Sequence, residues 1–298
     1  MHGVTTDSKP AWDVLGAAAA EAGIEIEGAQ LIRDGSNVMY RLSGGIVARI
    51  GRPGTADTAR REVETATWLA SHGIPAVKVV EDLPQLVVAA ERPVTWWHLL
   101  PPHRPATPGE LATVLKAVHS LNVPTRPELP LHNPFTDIAP RIRAATSINA
   151  DDRDWLLQRL DQLQADYRQL ETTQDRYVLH GDAWQGNVAV PDDGRPILLD
   201  LEAFAIGPKQ WDLVQIAVDY TDFARLTDAD YKAFLTAYGD NDITETPEFR
   251  TFADIQELRW VAFAASKAAS NPDAAREAQH RIACLQGEES RPWTWSAL

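Results

Sequence analysis

The sequence predicts an α+β fold in which strands crowd the first ninety residues or so and helices dominate the rest. Two observations predict it. Short β-branched and aliphatic runs, separated by tight-turn residues, fill the N-terminal part, and apolar residues three and four apart fill the C-terminal part. The opening segment Trp12–Ala22 has helical spacing and meets Gly23, a usual helix stop. Ala29–Ile32, Val38–Leu42 and Ile46–Ile50 follow as strands, broken by Asp34-Gly35-Ser36-Asn37 and Ser43-Gly44-Gly45. Thr58–Ser71 returns to helical spacing and closes at His72-Gly73-Ile74-Pro75. Val77–Glu81 and Gln85–Ala90 read as two more strands, and Glu91-Arg92-Pro93 breaks the last one. That break divides the chain into an N-terminal part, residues 1–92, and a C-terminal part, residues 93–298.

Beyond Pro93, proline-punctuated loops flank a helix at Pro108–Leu121, and Asp151–Leu170 is a helix with Trp155, Leu156, Leu160, Leu163 and Tyr167 on its apolar stripe. Short strands are expected at Tyr177–Leu179, Val188–Val190 and Ile197–Leu201, with a turn at Asp192-Asp193-Gly194. Helices resume from Trp211 to Gly287.

Composition narrows the function classes. Apolar residues are 44% and charged residues 23% of 298, the balance of a globular chain. The formal charge is −14, of which −3 falls within residues 1–93 and −11 beyond. Such a surface repels phosphate backbones and anionic lipid, so neither nucleic acid nor membrane is an expected partner. A single cysteine makes no internal disulfide. With no secretory signal and no run of eighteen apolar residues, the chain reads as cytoplasmic.

The chemistry concentrates in Tyr177–Asp212. His180-Gly181-Asp182 leads by five positions to Asn187, and Asn187 by thirteen to Asp200 at the end of an apolar run. This supplies one carboxylate and a separate pair of oxygen ligands. Phosphoryl transfer from a nucleotide needs those parts: a group that orients or deprotonates the acceptor hydroxyl, and hard oxygen donors for magnesium on the phosphates. Asp182 suits the first role, Asn187 and Asp200 the second. Protein kinases place the same gap of five between the Asp and Asn of their catalytic loop.

With these residues in view, the chain resembles the aminoglycoside phosphotransferase family, relatives of choline kinase within the protein-kinase-like fold. The resemblance covers the turn Asp34–Asn37, Glu62, the catalytic loop, Leu199–Glu202, Gly207-Pro208 and Trp211-Asp212-Leu213. It implies a bilobal fold, ATP or GTP as donor, and Mg2+. It further implies that Asp182 is the base or the carboxylate that orients the hydroxyl, that Asn187 and Asp200 bind the metal with Glu202 as a candidate second carboxylate, and that His180 and Asp212 brace the loop. Ser36 and Asn37 would lie over the nucleotide phosphates, and the backbone of Ala90, Glu91 and Arg92 would be the adenine-binding hinge. One position departs from the pattern: Arg49 stands where the family has a strand lysine opposite the helix glutamate, here Glu62. Either the pocket is built around a guanidinium, or nucleotide binding is weakened. No Asp-Phe-Gly follows Asp200, which argues against a protein kinase.

The expected acceptor is a cationic or sugar-like small molecule, an aminoglycoside or amino sugar, which would make the protein an antibiotic-resistance enzyme in the first case. The alternatives are a metabolic kinase for choline, glucosamine or a related alcohol, and a kinase-like binding protein without activity. Candidate acceptor contacts are the aromatic faces of Trp184, Trp293 and Trp295 and the carboxylates Asp219, Asp222, Asp254 and Glu257.

Overall fold

The computed structural model describes residues 10–35, 37–171, 175–239, 241–269 and 271–298. In chain order the elements are α1 (Ala11–Ala22), β1 (Gln30–Asp34), β2 (Val38–Arg41), β3 (Ile46–Ile50), α2 (Ala56–Ser71), β4 (Val87–Ala89), β5 (Arg92–His98) and β6 (His103–Pro105). Then come α3 (Pro108–His119), α4 (Ile138–Ala144), α5 (Ala150–Glu171), β7 (Tyr177–Leu179), β8 (Val188–Pro191), β9 (Ile197–Leu198) and β10 (Ala205–Gly207). The chain finishes with α6 (Gln210–Thr221), α7 (Asp228–Tyr238), α8 (Phe249–Lys267) and α9 (Pro272–Gln286). Among the described residues no helix is long and apolar enough to cross a membrane.

The chain divides into two compact units. The first holds Met1–Ala106, Pro124–Leu129 and Gly186–Phe204; the second holds Thr107–Val123, Pro130–Gln185 and Ala205–Leu298. The expected division at residue 92 therefore does not describe the chain, which leaves the first unit and returns to it.

In the first unit an antiparallel sheet runs in the order β1-β2-β3-β5-β4. The spacing of Val14, Leu15, Ala18 and Ala19 puts one face of α1 on the sheet, where these residues are buried with Leu42, Ala48, Ile50, Val94 and Trp96. The helix stops where the sequence predicts, at Gly23, whose φ of 70° lets its N–H reach the Ala19 carbonyl. The expected break at Ala90–Arg92 is instead a two-residue hairpin turn. Ala90 and Glu91 have φ of 49° and 62°, the left-handed pair of a tight β-hairpin, and β5 returns between β3 and β4. Gly51 lets the end of β3 pass the start of β5, since a Cβ there would meet Pro93 at 2.8 Å. Val77–Glu81 is not a strand; only isolated bridges form, at Ala76 and Val79.

A second sheet of this unit, β6-β8-β9, carries the residues that follow the catalytic loop. Strand β9 is shorter than expected. Asp200 takes a left-handed φ of 50°, and Leu201–Ala203 is one turn of 3-10 helix, so Glu202 does not share a strand face with Asp200.

The second unit is helical apart from the pair β7–β10. A capping box at Thr107 and Glu110 starts α3, and another at Thr227 and Asp230 starts α7. Helix α8 is its centre, packed by α4, α5, α6 and α9.

Candidate active site

In the first unit Asn37, Arg49, Glu62, Asn187 and Asp200 line a cavity of about 320 Å³. Strand β3 points Arg49 into it, between Met39 of β2 and Thr95 of β5. The Arg49 guanidinium pairs with Glu62 of α2 and reaches Asp200 at 3.3 Å and Glu202 at 3.1 Å. With its side-chain amide turned to satisfy its neighbours, Asn37 accepts from Arg49 Nε at 3.1 Å and Nη2 at 2.7 Å. Burial opposes the Arg49 charge, but Glu62, Asp200 and Glu202 together hold its pKa above the ordinary value. Burial pushes the Glu62 carboxyl up to about 7 against the attraction of Arg49.

Asn187 is buried and lines the same cavity as Asp200. Its backbone carbonyl accepts the N–H of Leu199 at 2.9 Å, which ties the 3-10 turn ahead of β8 to the end of β9. The donor set fits a hard divalent ion: one amide oxygen and two half-exposed carboxylates, with phosphate oxygens free to complete the shell. The described residues hold no group of three His, Cys, Asp or Glu side chains arranged for a metal, so an ion here would draw on Asn187 and on the nucleotide.

The rest of the cavity is largely apolar, walled by Val47, Val77, Trp97, Leu99, Leu100 and Leu199. Ala90, Glu91 and Arg92 are absent from it. Arg92 instead bonds the Gly51 carbonyl at 2.8 Å, and the Glu91 carbonyl accepts from Gly54 at 3.0 Å, because the hairpin turns them away at the far end of β5. Leu99 and Leu100, just past β5, line the cavity instead. Their only signal in the sequence is the Leu-Leu-Pro-Pro run that ends the strand. His98 and His103 also line the cavity. Ser36 lies outside the described residues.

In the second unit β7 delivers His180-Gly181-Asp182. Asp212, in the first turn of α6, is buried and accepts the backbone N–H groups of His180 at 2.7 Å and Gly181 at 2.8 Å. His119 Nε2 lies 3.0 Å from the same carboxylate, and His119 Nδ1 lies 2.8 Å from the Tyr238 hydroxyl. Burial opposes its ionisation, yet the His119 bond and charge, His180 and the Gly181 N–H hold the Asp212 carboxyl below its usual range. The loop is thus pinned by a charge-assisted network. His180 adds a contact of its own, its ring Nδ1 accepting from the Asp182 N–H at 3.4 Å. Trp211 donates to the Gly181 carbonyl at 3.0 Å, and Asp182 itself is exposed.

The acceptor candidates are scattered and mostly committed. Asp219 pairs with Arg225 at 2.7 Å; Asp254 pairs with Arg250 at 2.7 Å and with Arg159. Asp222 and Glu257 are buried and share Arg250 and Arg291. Burial and the adjacent Asp222 push the Glu257 carboxyl well up, whereas Asp222, despite its burial, is held low by Glu257 and the arginines. Trp293 and Trp295 are buried and stacked at 5.3 Å, so they are core, and Trp96 is fully buried in the first unit. Trp184 alone of the aromatic candidates is exposed, at 44%.

Similar folds occur in amicoumacin kinase hAmiN, solved with AMP-PNP, Ca2+ and Ami: the TM-score is 0.74 at 16% identity, over 97% of this chain and 96% of that one. Choline kinase LicA from Streptococcus pneumoniae gives 0.64 at 14% identity, over 93% and 99%. Aminoglycoside phosphotransferase APH(3'')-Id from Streptomyces rimosus gives 0.60 at 18% identity, over 85% and 98%. No curated protein matches the chain significantly. These likenesses support the kinase-like α+β fold. The profile of the phosphotransferase enzyme family matches residues 28–280, and the chain belongs to that family.

Proposed function

We propose that the protein moves the γ-phosphoryl group of ATP or GTP to a hydroxyl of a small molecule. The observation that carries this reading is the gathering of Glu62, Asp200 and Glu202 around Arg49, which lines the cavity. A guanidinium held among carboxylates is a phosphate-binding group with its geometry already fixed. In the transfer, the acceptor oxygen bonds to the γ-phosphorus, the bond to the β-bridging oxygen breaks, and the acceptor proton passes to Asp182. Asn187, Asp200 and Glu202 are the residues that would hold a divalent ion, whose chemistry when bound is to neutralise charge on the phosphates. Arg49 must release part of its contact with Asp200 and Glu202 as phosphate arrives.

The acceptor we favour is a sugar-like hydroxyl compound. A polycationic aminoglycoside, and with it a resistance role, gains no support from Asp219, Asp222, Asp254 and Glu257, since arginines already pair with each of them. The amicoumacin, aminoglycoside and choline kinases among the similar folds keep amino-bearing acceptors as the second reading. Phosphorus NMR of ATP and magnesium with panels of sugars, amino sugars, choline and aminoglycosides tests the proposal. A phosphorylated product that disappears on chelation is the expected result. Magnesium-ATP binding without transfer to any acceptor would make the protein a kinase-like binding module.

A further inference from the structure

Helix α8 carries opposite chemistry on two faces of the second unit. Successive residues turn by about 100°, so Arg250, Asp254 and Glu257 share one side while Arg259 lies far round from Glu257. On the first side the charges answer one another: Arg250 binds Asp222, Asp254 and Glu257, and Arg291 binds Asp222 and Glu257.

The other side looks towards the catalytic loop and is left short of negative charge. Arg259 donates Nη1 to the Pro134 carbonyl at 2.8 Å, and its guanidinium lies 5.3 Å from the Trp211 ring centre. Trp211 in turn holds the carbonyl of Gly181, the residue before Asp182. Among the described residues no carboxylate comes within ion-pair distance of Arg259. Arg141 of α4, over the Phe263 ring at 5.9 Å, has no ion pair among them either.

The electrostatics agree with this geometry. Burial lowers the Arg259 pKa; Asp182 and Asp137 offset part of that, and Arg141 adds to it. Arg49 and Arg250, set among carboxylates, shift the other way. Asp137 meanwhile sits directly before α4 with a left-handed φ of 63°, a strained conformation of the kind that collects around binding sites.

We propose that Arg259, with Arg141 beside it, receives an anionic group of the acceptor, so that the hydroxyl compound phosphorylated here also carries a carboxylate or a phosphate. The inference rests on the phosphotransfer proposed above. A planar guanidinium with donors to spare matches either oxyanion, and the same pair of cations repels a polycation.

The test compares matched acceptors by ADP release: glycerate and glycerol 3-phosphate against glycerol and 2-amino-1,3-propanediol, then glucuronate and glucose 1-phosphate against glucose and glucosamine. An anionic member should lead its neutral and amino analogues by about tenfold or more in kcat/KM. Arg259→Gln should erase that lead with the KM for ATP unchanged, and Arg259→Lys should restore part of it. An amino member in the lead, or a loss that falls on the KM for ATP, overturns the proposal. The second result would assign Arg259 to the nucleotide.

Where no compound is turned over, a titration decides. The side-chain Nε–Hε resonance of Arg259, assigned by its loss in Arg259→Lys, is followed by NMR in protein loaded with magnesium and AMP-PNP. Glycerate or inorganic phosphate should move it saturably while glycerol does not, and no movement with either anion overturns the proposal. This readout needs no catalysis, so it separates failure of the anion site from failure of the phosphotransfer reading.

Discussion

Arg49 does with several donors what a lysine ammonium does from one point. It reaches Glu62 through one terminal nitrogen, and Asp200 and Glu202 through the other. An ammonium on a shorter stem has no such fork. Arg49→Lys should therefore weaken magnesium-ATP binding more than about tenfold, or about 1.4 kcal/mol, measured by calorimetric titration. Unchanged affinity would mean that charge alone matters there. Spacing made β3 and α2 legible in the sequence, and the pairing of Arg49 with Glu62 followed from the family resemblance, which sets a strand cation opposite a helix glutamate. The involvement of His98, His103, Leu99 and Leu100 was not legible. They reach the cavity through the end of β5 and the course of the chain after it, and no local pattern marks that.

At the scale of elements, the misread features share a cause. Ala90 and Glu91 form a tight hairpin turn without the glycine or asparagine that usually announces one, so β5 was hidden behind an apparent break. Strand β10 shows a second long-range effect. Its neighbour His132 donates its backbone N–H to Ile206 and sets its ring 4.5 Å from Trp211. Gly207 makes room for that ring, since a Cβ there would lie 2.9 Å from the Cβ of His132.

Burial carries the His132 pKa down from 6.5 to about 4; Asp212 opposes the shift and Arg259 adds to it. The folded protein thus binds fewer protons than the unfolded chain in that window. His132 stabilises the fold fully above pH 6.5, and its contribution is lost as pH falls towards 4, by up to about 1.4 kcal/mol per pH unit. Urea unfolding of His132→Gln between pH 7 and 4 should show a shallower acid loss than the parent protein. Equal slopes would contradict the assignment.

Over the whole molecule, the strand-rich beginning and helical remainder were visible from periodicity, and spacing singled out Asp182, Asn187 and Asp200 for the proposed chemistry. The way the first unit is assembled was not visible, because Gly186–Phe204 joins it from far along the chain and pairing at such range leaves no mark in either segment. A fragment of residues 1–92 lacks the body of β5, which separates β3 from β4 in the sheet. It should show no cooperative urea transition by circular dichroism. A sharp transition would mean that the first unit needs neither β5 nor the returning segment. Asp219, Asp222, Asp254 and Glu257 are each paired with an arginine, which the net charge of the second part does not reveal.

The proposed reaction depends on Asp182 taking the acceptor proton from a loop that Asp212 holds in place. Single-turnover transfer from labelled ATP, measured beside nucleotide affinity in Asp182→Asn, addresses that most directly. Transfer should fall by about 10²–10⁴-fold while magnesium-ATP affinity stays unchanged. Transfer at the parental rate would take Asp182 out of the reaction.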